Sequence, residues 1–135
     1  MSAISIYRSK YRRLFEDLFK ANEDFVPHYK EDKTSFSFKA IPHFIDRMVD
    51  RNISFDCVKD MLMKVYNNKT AVQQIIDYIE DDNREHRLEI TDGEIWLGCT
   101  VGLTPIHSNH LITLRMAFKN NNRIEGKIPV KVIKI

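Results

Sequence analysis

Apolar residues near the N-terminus recur with the spacing of an α-helix. The intervals are four, three and four positions, which predicts a helix with one buried stripe. Pro27 blocks continuation of this helix, and the polar segment 28–35 predicts a loop. The stripe consists of Tyr7, Tyr11, Leu14 and Leu18.

The same periodicity predicts three more helices before residue 84. Pro42 suits the first turn of one helix, which ends near Asn52. Ser54 and Thr70 are suited to cap the next two helices, because their hydroxyl groups accept hydrogen bonds from backbone amides at a helix start. Helices therefore fill most of the N-terminal half.

After about Arg84 the pattern changes to an alternation of polar and apolar residues. Asp92-Gly93 is a strong signal for a two-residue hairpin turn. Helices followed by strands predict a single α+β domain over residues 1–135, with N-terminal helices packed on one face of a four-stranded antiparallel sheet. The predicted strands are 87–91, 95–103, 110–118 and 130–135.

One face of this predicted sheet carries a tryptophan between small residues. If Leu97 and Cys99 point inward, then Trp96 and Gly98 line the opposite face, and Arg115 joins them from the next strand. An exposed tryptophan with small neighbours and cations is typical of a surface on which nucleotide bases stack. A second packed layer is the competing interpretation.

Composition places the chain among globular proteins, with 43% hydrophobic and 30% charged residues. Cys57 and Cys99 form no CxxC pair, so we expect reduced core thiols. No uncharged apolar run is long enough to span a bilayer, and the basic N-terminus holds no signal core. These features predict a cytoplasmic protein.

The formal net charge of only +2 conceals an uneven distribution. Residues 1–20 hold five basic and two acidic side chains, and residues 114–135 hold six and one. Residues 77–94 instead hold two basic and eight acidic side chains. The basic ends could attract a polyanion, whereas a merely solvated surface is the competing interpretation.

The most informative local pattern is a histidine and two arginines at four-residue intervals. His43, Arg47 and Arg51 would share one side of a helix. A histidine that moves a proton, beside guanidinium groups that grip a phosphate, suits phosphodiester cleavage. The competing interpretation is a solvated face on which Asp46 and Asp50 pair with the arginines.

Metal and cofactor chemistry has little support in the sequence. His107 and His110 have an HxxH spacing without a third ligand nearby, which is a weak signal. No Walker loop, GxGxxG, HExxH or GxSxG motif occurs. We therefore expect neither a metal nor a cofactor.

The run from Arg87 to Val101, RLEITDGEIWLGCTV, is nearly identical to a run in a known family. That family, which other segments of the chain also resemble, is the RegB endoribonucleases of T4-like bacteriophages. Two N-terminal segments, IYRSKYRRLFE from Ile6 and FKAIPHFIDR from Phe38, resemble its first two helices. Shorter matches follow at 114–117, 126–127 and 132–134.

The resemblance implies a small ribonuclease with a fold like the RelE and YoeB toxins, acting in the cytoplasm of the infected bacterial host. Members of that family cut single-stranded early phage mRNA at GGAG (Shine-Dalgarno) sequences. They are stimulated by ribosomal protein S1, need no metal and leave 2′,3′-cyclic phosphate ends. A membrane or DNA partner is not expected.

By the same resemblance, His43 falls on a catalytic histidine, and the family's second histidine position is Met63 here. Because a thioether cannot transfer a proton, another group must serve as the second proton carrier. We assign to Arg47 and Arg115 the stabilisation of negative charge on the phosphate. The candidates for the second carrier are, in order, His86, Glu89 and Tyr66, with arginine and water as the alternative.

Backbone and base contacts with RNA are expected from cationic and aromatic residues at several places in the chain. Two other functions remain open at this point: an RNA-binding translational regulator without turnover, and a ribosome-dependent mRNA interferase. The expected RNA-binding residues are Arg8, Arg12, Arg13, Arg51, Trp96, Lys127 and Lys131.

Overall fold

Four helices and five strands make up the described part of the chain. The computed structural model describes residues 3–21, 35–81, 83–101, 109–119 and 130–135. The helices are α1 (Ala3–Ala21), α2 (Pro42–Asp50), α3 (Phe55–Tyr66) and α4 (Lys69–Glu80). The strands are β1 (Ser35–Ala40), β2 (Arg87–Thr91), β3 (Ile95–Val101), β4 (Asn109–Lys119) and β5 (Val130–Lys134). The predicted α+β class is confirmed.

The sheet has five strands in the order β1-β4-β3-β2-β5 and is mixed. β3 pairs antiparallel with β2 and β4, whereas β1 pairs parallel with β4 and β5 parallel with β2. The prediction of a four-stranded antiparallel sheet was therefore wrong in strand number and at both edges. The missed strand alternates serine and phenylalanine, and it buries Phe36 and Phe38.

The helices cover one face of the sheet and share one core with it. Phe15 of α1 packs edge-on against Phe44 of α2 and Phe55 at the start of α3, with ring centroids 5.8 and 4.9 Å apart. Each aromatic side chain buried in this way stabilises the fold by about 2–3 kcal/mol. This cluster fixes α1 and α2 relative to each other.

Local hydrogen bonds set the limits of the central helices. The Ser54 hydroxyl accepts from the Cys57 amide at 3.1 Å, as predicted, but Asn68 rather than Thr70 caps α4 by accepting from the Ala71 amide. Because Cys57 lies in the first exposed turn of α3, its thiol is exposed, contrary to the expected core position. Cys99 is buried, and burial raises the pKa of its thiol.

β4 contains a bulge that changes which side chains share a face. Met116 lies opposite Gly98, but Leu114 lies opposite Cys99, so Arg115 is an extra residue between the two pairs. Alternation along β4 therefore resets at Arg115. This brings Met116 to the face opposite the helices, which we call the outer face.

The outer face is closed around Trp96, which is only 8% exposed. Its ring stacks on Phe118 at 6.4 Å and 10°. A Cβ atom added at Gly98 would lie 3.2 Å from the Cβ atom of Met116, so the glycine admits Met116 rather than leaving an open platform. Of the two interpretations that the sequence left open for Trp96, the exposed stacking surface was wrong. None of the described helices is both long and apolar enough to cross a membrane.

Candidate active site

α2 is positioned by its direct connection to the edge of the sheet. β1 leads into α2 through the single residue Ile41, and Pro42 starts the helix. Because Phe44, Ile45 and Met48 are buried, the opposite side of α2 faces solvent. His43 and Arg47 lie on that exposed side, as the sequence predicts.

The first two candidate residues, His43 and Arg47, are joined by a hydrogen bond. Arg47 Nε donates to His43 Nε2 at 3.3 Å. His43 Nε2 thus accepts a hydrogen bond from the guanidinium group. Arg47 Nη1 also lies 3.8 Å from Asp50 Oδ2, so its guanidinium joins a histidine and a carboxylate.

The Arg51 side chain forms a hydrogen bond with the sheet instead of pointing freely into solvent. Its Nη1 donates to the carbonyl oxygen of Ala117 at 2.7 Å. β1 ends at Ala40, opposite Leu114, so the later part of β4 has no strand partner on that side among the described residues. Arg51 occupies this edge and fastens α2 to it.

Arg115 is exposed at the bulge, and its orientation is set by β3. Its Nε donates to Thr100 Oγ1 at 2.5 Å, which holds the guanidinium over the outer face. Thr100 pairs with Thr113, and Thr113 pairs with Lys39. Arg115 and Lys39 therefore border two neighbouring hydroxyl groups, those of Thr100 on β3 and Thr113 on β4.

None of the three candidates for the second proton carrier lies on α2 with His43. β2 lies two strand spacings from β4, against which α2 packs, a separation of about 10 Å across the sheet. His86 is exposed just before β2, whereas Glu89 within β2 is only 5% exposed. Tyr66 is buried at the end of α3, and burial raises its pKa.

The N-terminal cations differ in their surroundings. Arg8 donates through Nε and Nη2 to the two carboxylate oxygens of Asp46, at 2.7 and 2.5 Å, and these hydrogen bonds lower the pKa of Asp46. Arg12 and Glu16 are 3.8 Å apart and exposed. Arg13 is exposed on α1.

Two C-terminal cations were also expected to bind RNA. Lys131 is half-buried on β5. Lys127 lies outside the described residues.

Metal-ligand geometry is absent from the part of the chain that the structure describes. No group of three histidine, cysteine, aspartate or glutamate side chains there could hold an ion. His110 is 1% exposed within β4, and His107 lies outside the described residues.

Sequence reasoning missed two partners. The Thr100 partner of Arg115 was not predicted, because the bulge at Arg115 cannot be seen in the alternation. The Arg8–Asp46 pair joins residues 38 positions apart, and sequence spacing gives no signal for it.

Comparison with known proteins assigns the chain to a family. The family model of the T4 phage endoribonuclease RegB matches residues 1–134. Endoribonuclease RegB of Enterobacteria phage T4 is 32% identical over 145 aligned positions, which cover 97% of this chain and 95% of the relative. The solution structure of the T4 enzyme superposes with a TM-score of 0.60 at 28% identity, covering 99% of both chains. This protein therefore belongs to the RegB family of phage endoribonucleases.

Proposed function

We propose that the protein cleaves single-stranded mRNA at GGAG-type sequences by attack of a ribose 2′-hydroxyl group, without a metal ion. The observation that supports this proposal best is the hydrogen bond from Arg47 to His43. It places a proton acceptor and a guanidinium group together on an exposed helix face. The chemistry needs a base, a source of positive charge and a proton for the leaving group.

In the proposed reaction, neutral His43 takes the proton of the 2′-hydroxyl group, and the 2′-oxygen forms a bond to the adjacent phosphorus. The bond from phosphorus to the 5′-oxygen breaks, and that oxygen gains a proton. The products are a 2′,3′-cyclic phosphate and a 5′-hydroxyl end. Arg47 and Arg115 stabilise the charge that develops on the phosphoryl oxygens.

The start of α2 supports a phosphate near His43. Ile41 precedes the helix and provides no side-chain cap, so the first amides are not occupied by a capping group. Helix starts carry partial positive charge and favour anions. This adds to the charge of Arg47 one turn later.

The proton of the leaving group has no assigned donor next to His43. Tyr66 and Glu89 are buried, and His86 is exposed but lies on the far side of β3. We propose that a water molecule supplies this proton. If His86 serves instead, His86→Gln will abolish cleavage as fully as loss of His43.

Host ribosomal protein S1 is the proposed stimulator, and the cytoplasm of the infected bacterium is the proposed site of action. Both proposals rest on membership of the RegB family. The RelE/YoeB likeness of the fold also stays a prediction.

The test uses a labelled GGAG oligonucleotide and a scrambled one in EDTA, with and without S1 and ribosomes. We expect GGAG-specific products with cyclic phosphate ends, and their loss in His43→Ala with an unchanged circular dichroism spectrum. The matched control is Lys64→Ala, an exposed position on α3. Undiminished cleavage by His43→Ala would remove that residue from the mechanism.

A translational regulator without turnover is the second candidate, favoured by Met63. This side chain is half-buried on α3 and cannot carry a proton. Tight GGAG binding without products would support this candidate. Cleavage only in the presence of ribosomes would instead support an mRNA interferase.

A further inference from the structure

A groove between α1 and α2 lies beside the proposed cleavage site. It encloses a cavity of about 110 Å³. We call it the α1–α2 groove, and its lining consists of Tyr7, Arg8, Ile45, Asp46, Val49 and Asp50.

This groove concentrates exposed apolar surface. Among the described residues, the large hydrophobic side chains that stay exposed are Tyr7 at 43%, Leu111 at 42% and Val49 at 37%. Two of these three line the groove. Apolar surface gathered in a concave site marks a place where a ligand or partner binds.

The aromatic wall is flat and held in place. The rings of Tyr7 and Tyr11 are stacked, with centroids 6.1 Å apart and planes inclined by 15°. Tyr11 in turn stacks on Phe55 at 6.4 Å, which connects the pair to the core. An exposed ring fixed in this way suits stacking of a planar base, which every nucleotide offers.

The polar wall selects among bases because carboxylates only accept hydrogen bonds. Asp46 is engaged by Arg8, whereas the Asp50 side chain is 64% exposed and lies 3.8 Å from Arg47. Guanine presents two adjacent N–H donors on its Watson–Crick edge, at N1 and N2, which fit one carboxylate. The other three bases present a single donor next to an acceptor there.

The groove adjoins the proposed chemistry. His43 and Asp46 are three residues apart on one helix, a spacing at which side chains are neighbours. The charge of Arg47 also contributes to the lowered pKa of Asp46. A base in the groove would therefore belong to a nucleotide close to the phosphate that is cut.

We propose that the α1–α2 groove is a guanine-binding subsite, in which Tyr7 stacks on the base and Asp50 accepts hydrogen bonds from its N1 and N2 positions. This inference rests on the proposed function, because it takes single-stranded RNA as the ligand. It adds a base-reading site to a face where the sequence predicted only cations.

The experiment measures binding of a GGAG oligonucleotide made uncleavable by 2′-O-methyl groups, with each guanine replaced in turn by inosine, which lacks the N2 amino group. We expect Tyr7→Leu to weaken binding about tenfold or more, and Tyr7→Phe to retain it. Asp50→Asn should remove the preference for guanine over inosine at one position. Asp60→Asn and Leu111→Ala are the matched exposed controls outside the groove.

The outcomes distinguish failure of the guanine-binding subsite from failure of the proposed endoribonuclease function. If the natural protein cuts GGAG RNA but Tyr7→Leu and Asp50→Asn bind and discriminate normally, the subsite is refuted and the function stands. Loss of S1 stimulation in these variants, with unchanged RNA binding, would refute it in favour of a protein-docking surface. If the natural protein neither cuts nor binds GGAG RNA, the proposed function itself fails.

Discussion

Arg51 at the end of α2 donates a hydrogen bond of 2.7 Å to the main-chain carbonyl of Ala117 in β4. The two residues are 66 positions apart, so this contact joins a helix from the first half of the chain to a strand from the second. It holds the helix that carries His43 against the sheet.

Replacing Arg51 with methionine should lower the free energy of unfolding by about 1–3 kcal/mol, since the carbonyl of the buried Ala117 loses a charged donor. Urea denaturation followed by circular dichroism measures this change. Arg47→Met is the control one turn earlier, where the exposed contacts should change stability by less than about 1 kcal/mol. Equal effects of the two substitutions would show that the Ala117 contact is not the stabilising one.

Replacing Thr100 with valine should reduce kcat about tenfold, because Arg115 then loses the acceptor that orients its guanidinium. Thr100→Ser keeps the hydroxyl group and should restore most of the rate. The comparison is Thr113→Val on the neighbouring strand, with kcat and KM measured for each variant. A rise in KM alone, at unchanged kcat, would mean that Arg115 contributes only to binding.

The Arg8–Asp46 pair predicts a particular dependence of stability on pH. Hydrogen bonding to Arg8 lowers the pKa of Asp46, so the pair stabilises the folded state above the unfolded pKa of about 3.9. This stabilisation is lost as the pH falls through the lower folded pKa. Asp46→Asn should therefore weaken the decline of the melting temperature between about pH 5 and pH 2. A decline identical to that of the natural protein would contradict the assignment.

Gly98→Ala tests the packing of the outer face. The added methyl group would lie 3.2 Å from the Cβ atom of Met116, and we expect a loss of about 1–3 kcal/mol from overpacking. Trp96 is the one tryptophan in the sequence, so its emission should also shift as the neighbouring pairs move. Lys119→Ala, at the exposed end of β4, serves as the control. Unchanged stability and emission would show that Met116 moves aside without lowering the free energy of unfolding.

Elements with strong local periodicity could be predicted from the sequence, and pairings between distant segments could not. The four helices and the turn at Asp92-Gly93 are local patterns and occur in the structure, although the connection between β2 and β3 comprises residues 92–94 rather than two residues. In the predicted stripe of α1, Leu18 is buried, but Tyr7 is 43% exposed. β1 was missed because its six residues lie between a predicted loop and Pro42. Its parallel pairing with β4 joins segments more than 70 residues apart, which periodicity does not encode.

The candidate site divides in the same way. His43 and Arg47 share a helix, so their spacing was enough to bring them together. Arg115 reaches Thr100 only because of a bulge, and Trp96 is buried by residues from a neighbouring strand. The same limit explains why the sequence assigned Arg51 to RNA although its guanidinium binds the main chain of β4.

β1 ends at Ala40, so the last residues of β4 have no partner on that side among the strands that the structure describes. Unpaired strand edges are templates for the addition of strands from other molecules. α2 packs against β4, and Arg51 occupies the Ala117 carbonyl on that edge. The helix that presents the proposed catalytic residues thus also covers a strand edge of the sheet.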